Sequence, residues 1–134
     1  MPDPLAHGPI ARATRAAWRA HLGGDADEEL LRELGSGSLA GAFHATAGAR
    51  GDAPALAIDG AEATHGELDD RAARVAGWLR TRGVEPGDRV LLCAPNSLAL
   101  VVAYLATLRV GAVAVPVGAS LTGSELAGIA ASAG

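Results

Sequence analysis

Histidine and cysteine, the side chains that most readily bind metals or act as nucleophiles, are few and widely spaced in this 134-residue chain. No two histidines have metal-ligand spacing, and no glutamate accompanies a pair as metallopeptidase chemistry requires. Cys93 is the only cysteine, and its position in an apolar run predicts a small, packed, buried side chain rather than a reactive thiol. We expect His65, in the first turn of a helix, to be an exposed spectator. The four histidines are His7, His21, His44 and His65.

Two glycine-containing stretches match chemical motifs in part but lack the context that those motifs need. Gly35-x-Gly37-x-x-Ala40 fits the dinucleotide-binding pattern formally, yet no predicted strand precedes it. The stretch from Gly118 to Gly123 is one residue too long for a nucleophile elbow, and no Ser, Asp and His set accompanies it. A helix cap, from either Ser120 or Thr122, is the better interpretation.

Asn96 is the residue best placed to border a ligand crevice. It follows a predicted strand, and ligands of open α/β sheets bind beyond the carboxyl ends of the strands. Turn formation and helix capping explain an asparagine there more simply. We therefore assign no catalytic, cofactor-binding or metal-binding residue in this chain.

A helix with sequence signals at both of its ends is the first clear secondary-structure element around these candidate residues. Thr64 and Glu67 form a capping-box pattern at its start, and Gly83 supplies the left-handed backbone common after a helix. Apolar residues recur between them at helical spacing, which predicts one buried face. The charged residues predicted to lie largely on the remaining surface are Asp69, Asp70, Arg71, Arg74, Arg80 and Arg82.

Two strands joined by a helix follow. Arg89 to Ala94 is a short continuous apolar run of the kind found in parallel strands covered on both faces. Leu98 to Leu108 predicts a largely buried helix closed by Gly111, and Ala112 to Val117 predicts the second strand. This β-α-β unit implies a right-handed crossover. The fold class is therefore α/β, a partial and mostly parallel sheet covered by helices.

The rest of the chain predicts a helical N-terminal extension and linker over residues 1–37, and an incomplete subdomain over residues 38–134. Pro9 to Leu22 is amphipathic, and Asp25 and Glu28 can cap a second short helix that reaches Leu34. Within the subdomain, Ser38 caps a predicted helix through about Thr46. A hairpin over Ala55 to Thr64, turning at Asp59-Gly60, is expected beside the parallel strands.

Composition excludes several functional classes. The net charge is −4, without a basic stripe suited to nucleic acid. The apolar run Leu98 to Leu108 is far shorter than the roughly 20 residues of a bilayer span, and residues 1–21 lack the apolar core of a secretory signal, so we expect a cytoplasmic protein.

Of the hydrophobic residues, 31 are alanine, so we expect the leucines and valines of residues 68–117 to supply most of the stabilising burial.

Three short motifs that follow one another in a fixed order indicate a family resemblance. They are Thr64-His65-Gly66-Glu67-Leu68, Arg82 to Val90 (RGVEPGDRV) and Pro95-Asn96-Ser97. A Gly-Ala-Val-x-Val-Pro phrase closes the pattern at Gly111 to Pro116. Over roughly Leu39 to Gly134, including a helix at Leu121 to Ala131, the chain resembles the N-terminal part of the AMP-forming, adenylate-producing ligases, most closely an acyl-CoA synthetase. Val117 to Ser120 departs from the family, which more often has an Asn-Pro pair there.

The resemblance implies a parent enzyme that activates a carboxylic acid as an acyl-adenylate, using ATP and magnesium, and transfers it to coenzyme A. The family's phosphate loop ending in Pro-Lys has no counterpart here, and all 11 cations are arginine. We therefore expect the chain to be a fragment that binds no cofactor, is inactive alone, and serves as scaffold for the remainder of the ligase.

The sequence is also compatible with other functions. The parent could instead be an adenylation domain that charges a carrier protein. The chain could also be a non-enzymatic α/β interaction module that binds a partner by strand addition at an open sheet edge. A nicotinamide-dependent oxidoreductase half would require tight dinucleotide binding.

Overall fold

The computed structural model describes residues 37–133, so the predicted extension lies outside the described residues except for Gly37. Four helices and four strands follow one another, and we number them in chain order. They are α1 (Leu39–Ala49), β1 (Pro54–Ile58), β2 (Ala61–Thr64), α2 (His65–Thr81), β3 (Arg89–Cys93), α3 (Leu98–Val110), β4 (Val113–Val117) and α4 (Gly123–Ala133). The α/β prediction is confirmed.

The capping box at the start of α2 is present as predicted. Thr64 Oγ1 accepts a hydrogen bond from the Glu67 amide at 3.2 Å, and Glu67 Oε2 accepts one from the Thr64 amide at 3.0 Å. Two otherwise unpaired donors of the first turn are thereby satisfied. At the other end the chain leaves the helix through Gly83 at φ +85°. Local sequence therefore sets both limits of this helix.

The β-α-β unit also forms. Strands β3 and β4 pair in parallel, with Leu91 opposite Val115, and α3 joins them. Helix α3 extends to Val110, one half turn beyond the predicted end, and stops at Gly111, whose φ of +88° is left-handed. A helix C-terminus commonly uses glycine in this way because a Cβ would be strained there.

The hairpin forms but occupies a different place from the one predicted. Strands β1 and β2 pair antiparallel around Asp59 and Gly60, both at positive φ. They make their own two-stranded sheet, whereas we expected the hairpin beside the parallel pair. Helix α2 contacts both hairpin strands, so burial of Ala63 against the helix core, rather than strand pairing with β3 or β4, holds the hairpin.

The core of the described unit lies between α2 and α3. It is rich in small residues: Ala72 is 2% exposed, and Ala76 and Ala106 are 0% exposed. Side chains this small let two helices approach closely, so alanine contributes more to the packing than the composition predicted. The buried cluster consists of Ala63, Leu68, Ala72, Ala76, Leu79, Val102, Leu105, Ala106 and Val110.

Candidate functional site

The carboxyl ends of β3 and β4 lie side by side, as the parallel register requires. Cys93 is opposite Val117, and the two loops that follow leave the same edge of the sheet. Asn96 lies in the first loop and is exposed, so the structure places it where the sequence analysis expected. This edge is the candidate site, because open α/β sheets bind ligands at such edges.

Ser97, rather than Asn96, caps the helix that leaves this edge. Its Oγ accepts a hydrogen bond from the Leu100 amide at 3.2 Å, and its backbone is extended, as N-cap residues usually are. The capping explanation that we gave for Asn96 therefore belongs to its neighbour. Asn96 keeps an exposed side chain beyond the strand end, a position that fits either a turn residue or a ligand contact.

Cys93 does not have the environment that we predicted. The residue is exposed, and Sγ lies 3.5 Å from the Gly118 carbonyl oxygen in the second loop. The prediction of a packed, buried cysteine is therefore wrong. It assumed a strand covered on both faces, but Cys93 and Val113, which is 49% exposed, lie on the same face of the sheet and are not buried by the described residues.

The second loop ends in a cap, as expected, and the structure decides between its two candidates. Thr122 Oγ1 accepts a hydrogen bond from the Glu125 amide at 3.4 Å, and Glu125 Oε2 accepts one from the Thr122 amide at 2.7 Å. Helix α4 therefore begins at Gly123, two residues later than predicted, with Thr122 and not Ser120 at its cap.

The same cap lowers the pKa of the Glu125 carboxyl. The larger cause is the hydrogen bond from the Thr122 amide, and the smaller one is the hydrogen bond from the Thr122 hydroxyl, which donates to Glu125 Oε2 at 2.7 Å.

The sequence analysis missed a polar cluster that joins three helices. Asp69 on α2 accepts a hydrogen bond from Arg109 Nη1 on α3 at 2.6 Å, and its other oxygen lies 2.9 Å from His44 Nδ1 on α1. The Asp69 side chain is only 14% exposed, although we placed it largely on the outer surface. No local signal could have revealed this cluster, because its partners lie 25 and 40 positions away.

His65 also has a structural role. Its Nδ1 lies 3.0 Å from the Ala53 carbonyl oxygen, and its ring stacks on Phe43 with 6.2 Å between centroids. The residue is half-buried, so the expectation of an exposed spectator is wrong. It ties the start of α2 to the segment that leads into β1.

An open groove of about 450 Å³ runs between α2 and α3. Arg71, Arg74 and Val75 line it from α2, and Leu98, Ala99 and Val102 from α3. Within residues 37–133, no three His, Cys, Asp or Glu side chains are grouped so that they could hold a metal ion. Nor does any helix of this part of the chain combine the length and apolarity needed to cross a membrane.

Comparison with known proteins gives this geometry a family. The chain is 39% identical over 93 residues to the medium-chain fatty-acid–CoA ligase of Escherichia coli K12, an alignment that covers 69% of this chain and 16% of the ligase. The benzoate CoA ligase of Burkholderia xenovorans LB400 superposes with a TM-score of 0.68 at 33% identity, over 72% of this chain and 20% of that one. The N-terminal subdomain of Klebsiella oxytoca NpsA gives a TM-score of 0.66 at 25% identity, over 72% and 25% of the two chains.

The matched part is a small share of these proteins. The chain spans 13% and 16% of the length of two curated relatives. Residues 43–134 match the family described as AMP-binding enzyme, and this match includes the whole β-α-β unit and the candidate edge. The chain therefore belongs to the AMP-binding, adenylate-forming ligase family and corresponds to its N-terminal part.

Proposed function

We propose that this chain is the N-terminal scaffold of an ATP-dependent acid–thiol ligase, which activates a carboxylic acid as an acyl-adenylate and transfers the acyl group to coenzyme A. The observation that carries the proposal is the family match over residues 43–134. The similarity to two CoA ligases supports the acceptor.

In this proposal the chain supplies architecture and no catalytic group. The parallel pair sets the edge at Asn96, and α3 packs against both of its strands. Further chain outside the matched part builds the ATP and acyl sites. ATP, magnesium and coenzyme A are proposed cofactors of the whole ligase. A triphosphate site needs a glycine-rich nest of amides with cations and a metal. Within residues 37–133 no three His, Cys, Asp or Glu side chains are grouped to hold a metal ion, so we derive no step through these groups.

A second candidate has its own support. NpsA, whose N-terminal subdomain shares this fold, is also solved as an artificially fused adenylation-PCP di-domain. The acceptor of the whole protein would then be a thiol on a carrier domain instead of coenzyme A. Both candidates share the adenylation step and differ only in the thiol that takes the acyl group.

The test separates the two half reactions. Isotope exchange between pyrophosphate and ATP is measured with medium-chain fatty acids and benzoates, for the 134-residue chain and for the longest polypeptide that its gene encodes in frame. We expect exchange only in the longer polypeptide, followed by an acyl-CoA product detected by mass. Exchange without acyl-CoA would favour the carrier-domain candidate, and no exchange with any acid would overturn the ligase proposal.

A further inference from the structure

The groove between α2 and α3 carries positive charge on both of its sides. Arg71 and Arg74 line it from α2, and no carboxylate is among its lining residues. The salt bridges found within residues 37–133 all end on Asp69, so neither guanidinium of the groove has an acidic partner in this part of the chain. On the other side, the amino end of α3 at Leu98 adds the positive end of a helix dipole, and its first turn holds no acidic residue. The groove therefore suits an anionic partner.

The floor of the groove is apolar. Val102 is 7% exposed, Val75 and Leu98 are half-buried, and Ala99 is exposed. Apolar side chains laid in the groove would leave water for contact with valine and leucine, which is favourable in proportion to the area that they bury. A partner that fits both features of the groove presents apolar side chains flanked by carboxylates.

An exposed tryptophan continues this surface along α2. Trp78 lies three residues after Val75, and so on the same side of the helix, and it is 54% exposed. The Arg82 guanidinium lies over its ring, 5.2 Å from the centroid. Tryptophan and arginine are enriched among the residues that supply most of the binding energy at protein interfaces. The stretch from Arg71 to Arg82 holds four arginines and no acidic residue, so its charge has one sign throughout.

The shape of this surface favours a helix over a membrane. A flat bilayer would contact Trp78 but would not reach the concave floor at Val102. An amphipathic helix does reach such a floor, because its apolar side chains at i, i+3, i+4 and i+7 enter a groove together. Arg71 and Arg82 are separated by about 16 Å of helix, so a partner helix of about three turns spans the surface.

We propose that the α2–α3 groove, together with Trp78, binds an acidic amphipathic helix of a partner protein. Leucine-type side chains of that helix fill the groove over Val75 and Val102, and its carboxylates pair with Arg71 and Arg74. The proposal uses no step of the ligase reaction.

The test measures binding of a labelled, capped peptide to the full 134-residue chain by fluorescence anisotropy. The peptide has the sequence Glu-Glu-Leu-Ala-Glu-Leu-Leu-Glu-Ala-Leu-Glu, which places its leucines on one helix face. We expect saturable binding that weakens as the salt concentration is raised. One control peptide has lysine in place of every glutamate, and another has the same composition but no shared leucine face. Neither control is expected to bind.

Matched variants locate the site. Arg71→Gln combined with Arg74→Gln should weaken binding about tenfold. Arg50→Gln combined with Arg89→Gln removes the same charge from exposed positions outside the groove and should change binding by less than about twofold. Ala99→Glu should abolish binding, because it places a carboxylate in the groove. That carboxylate lies in the first turn of α3, where it favours the helix, so this loss of binding cannot be attributed to unfolding.

Three results would overturn the proposal. The first is unchanged binding in the Arg71 and Arg74 variant, or an equal loss in the Arg50 and Arg89 variant, which would indicate nonspecific charge attraction. The second is binding to phosphatidylserine vesicles through Arg71 and Arg74 without binding of the peptide, which would identify a membrane surface. The third is loss of peptide binding in the longest polypeptide that the gene encodes in frame, which would show that the parent protein itself covers the groove. None of these measurements depends on ligase activity, so the surface and the proposed function can fail separately.

Discussion

Asp69 and Arg109 lie 40 positions apart in sequence, yet Asp69 Oδ1 and Arg109 Nη1 are 2.6 Å apart and join α2 to α3. The Arg109 carbonyl also accepts a hydrogen bond from Arg80 Nη2 at 3.2 Å, so a second link between the helices ends on the same residue. These contacts lie beside the alanine-rich α2–α3 core. They link α2 and α3 where small side chains such as Ala72 and Ala106 let the two helices approach closely.

Removing the Asp69 carboxylate should destabilise the fold. Asp69→Asn leaves the partly buried Arg109 guanidinium, 30% exposed, without its charged partner, and we expect a loss of about 1–3 kcal/mol in the free energy of unfolding. Urea unfolding followed by circular dichroism measures this. Asp70→Asn is the matched control, because Asp70 is exposed on the same helix. Equal effects of the two substitutions would show that the pairing contributes nothing.

Two glycine substitutions should have opposite signs. Gly111→Ala introduces a Cβ at φ +88°, 3.2 Å from the Pro86 Cβ, and we expect a loss of at least about 1 kcal/mol. Gly77→Ala lies inside α2 with no atom within 4 Å of the new Cβ, and we expect a gain of about 0.5–1 kcal/mol. Thermal unfolding of both variants decides. A stabilising Gly111→Ala would contradict the left-handed cap.

The capping box should account for much of the stability of the start of α2. Thr64→Ala removes the acceptor of the Glu67 amide, and we expect a loss of about 1 kcal/mol in the free energy of unfolding. Thr81→Ala, at the far end of the same helix, is the control and should change stability by less than about 0.5 kcal/mol. Denaturant unfolding of both proteins compares them, and a larger effect at Thr81 would refute the assignment.

The start of α4 should respond to acid. The pKa of Glu125 is lower in the folded state than its ordinary value of 4.5, so its stabilising contribution is complete above that value and is lost as pH falls through the folded pKa. An NMR titration of the Glu125 carboxyl measures this shift. Thr122→Ala should raise the pKa only in part, because the Thr122 amide, the larger cause, remains. An unchanged pKa in that variant would exclude the hydroxyl as a contributor.

The thiol of Cys93 should react in the native state. Because the residue is exposed, we expect the disulfide reagent dithiobis(nitrobenzoate) to modify it readily without denaturant. The modification rates in buffer and in denaturant should agree within about threefold. Absorbance of the released thiolate follows the reaction. If modification required urea, the Cys93 thiol would be buried in the native state, as the apolar run of β3 first indicated.

Much of the local structure was predictable from sequence because its causes are local. The Thr64–Glu67 box, the Gly111 stop and the Asp59-Gly60 turn each depend on hydrogen bonds or backbone angles within a few residues. The β-α-β unit followed from the length of its apolar runs. The start of α4 was predicted at Leu121 but lies at Gly123. The sequence did not decide which of two nearby hydroxyls, that of Ser120 or that of Thr122, forms the cap.

The sequence by itself determined the family, the order of the elements and the parallel pair, because these depend on residue types that follow one another along the chain. Only the tertiary structure decided that Asp69 pairs with Arg109, that His65 is held by Ala53, and that Cys93 is exposed. Each of these depends on which surfaces meet after helices pack. An apolar run can show that a strand suits burial, but whether a second layer covers it depends on chain that lies far away in sequence.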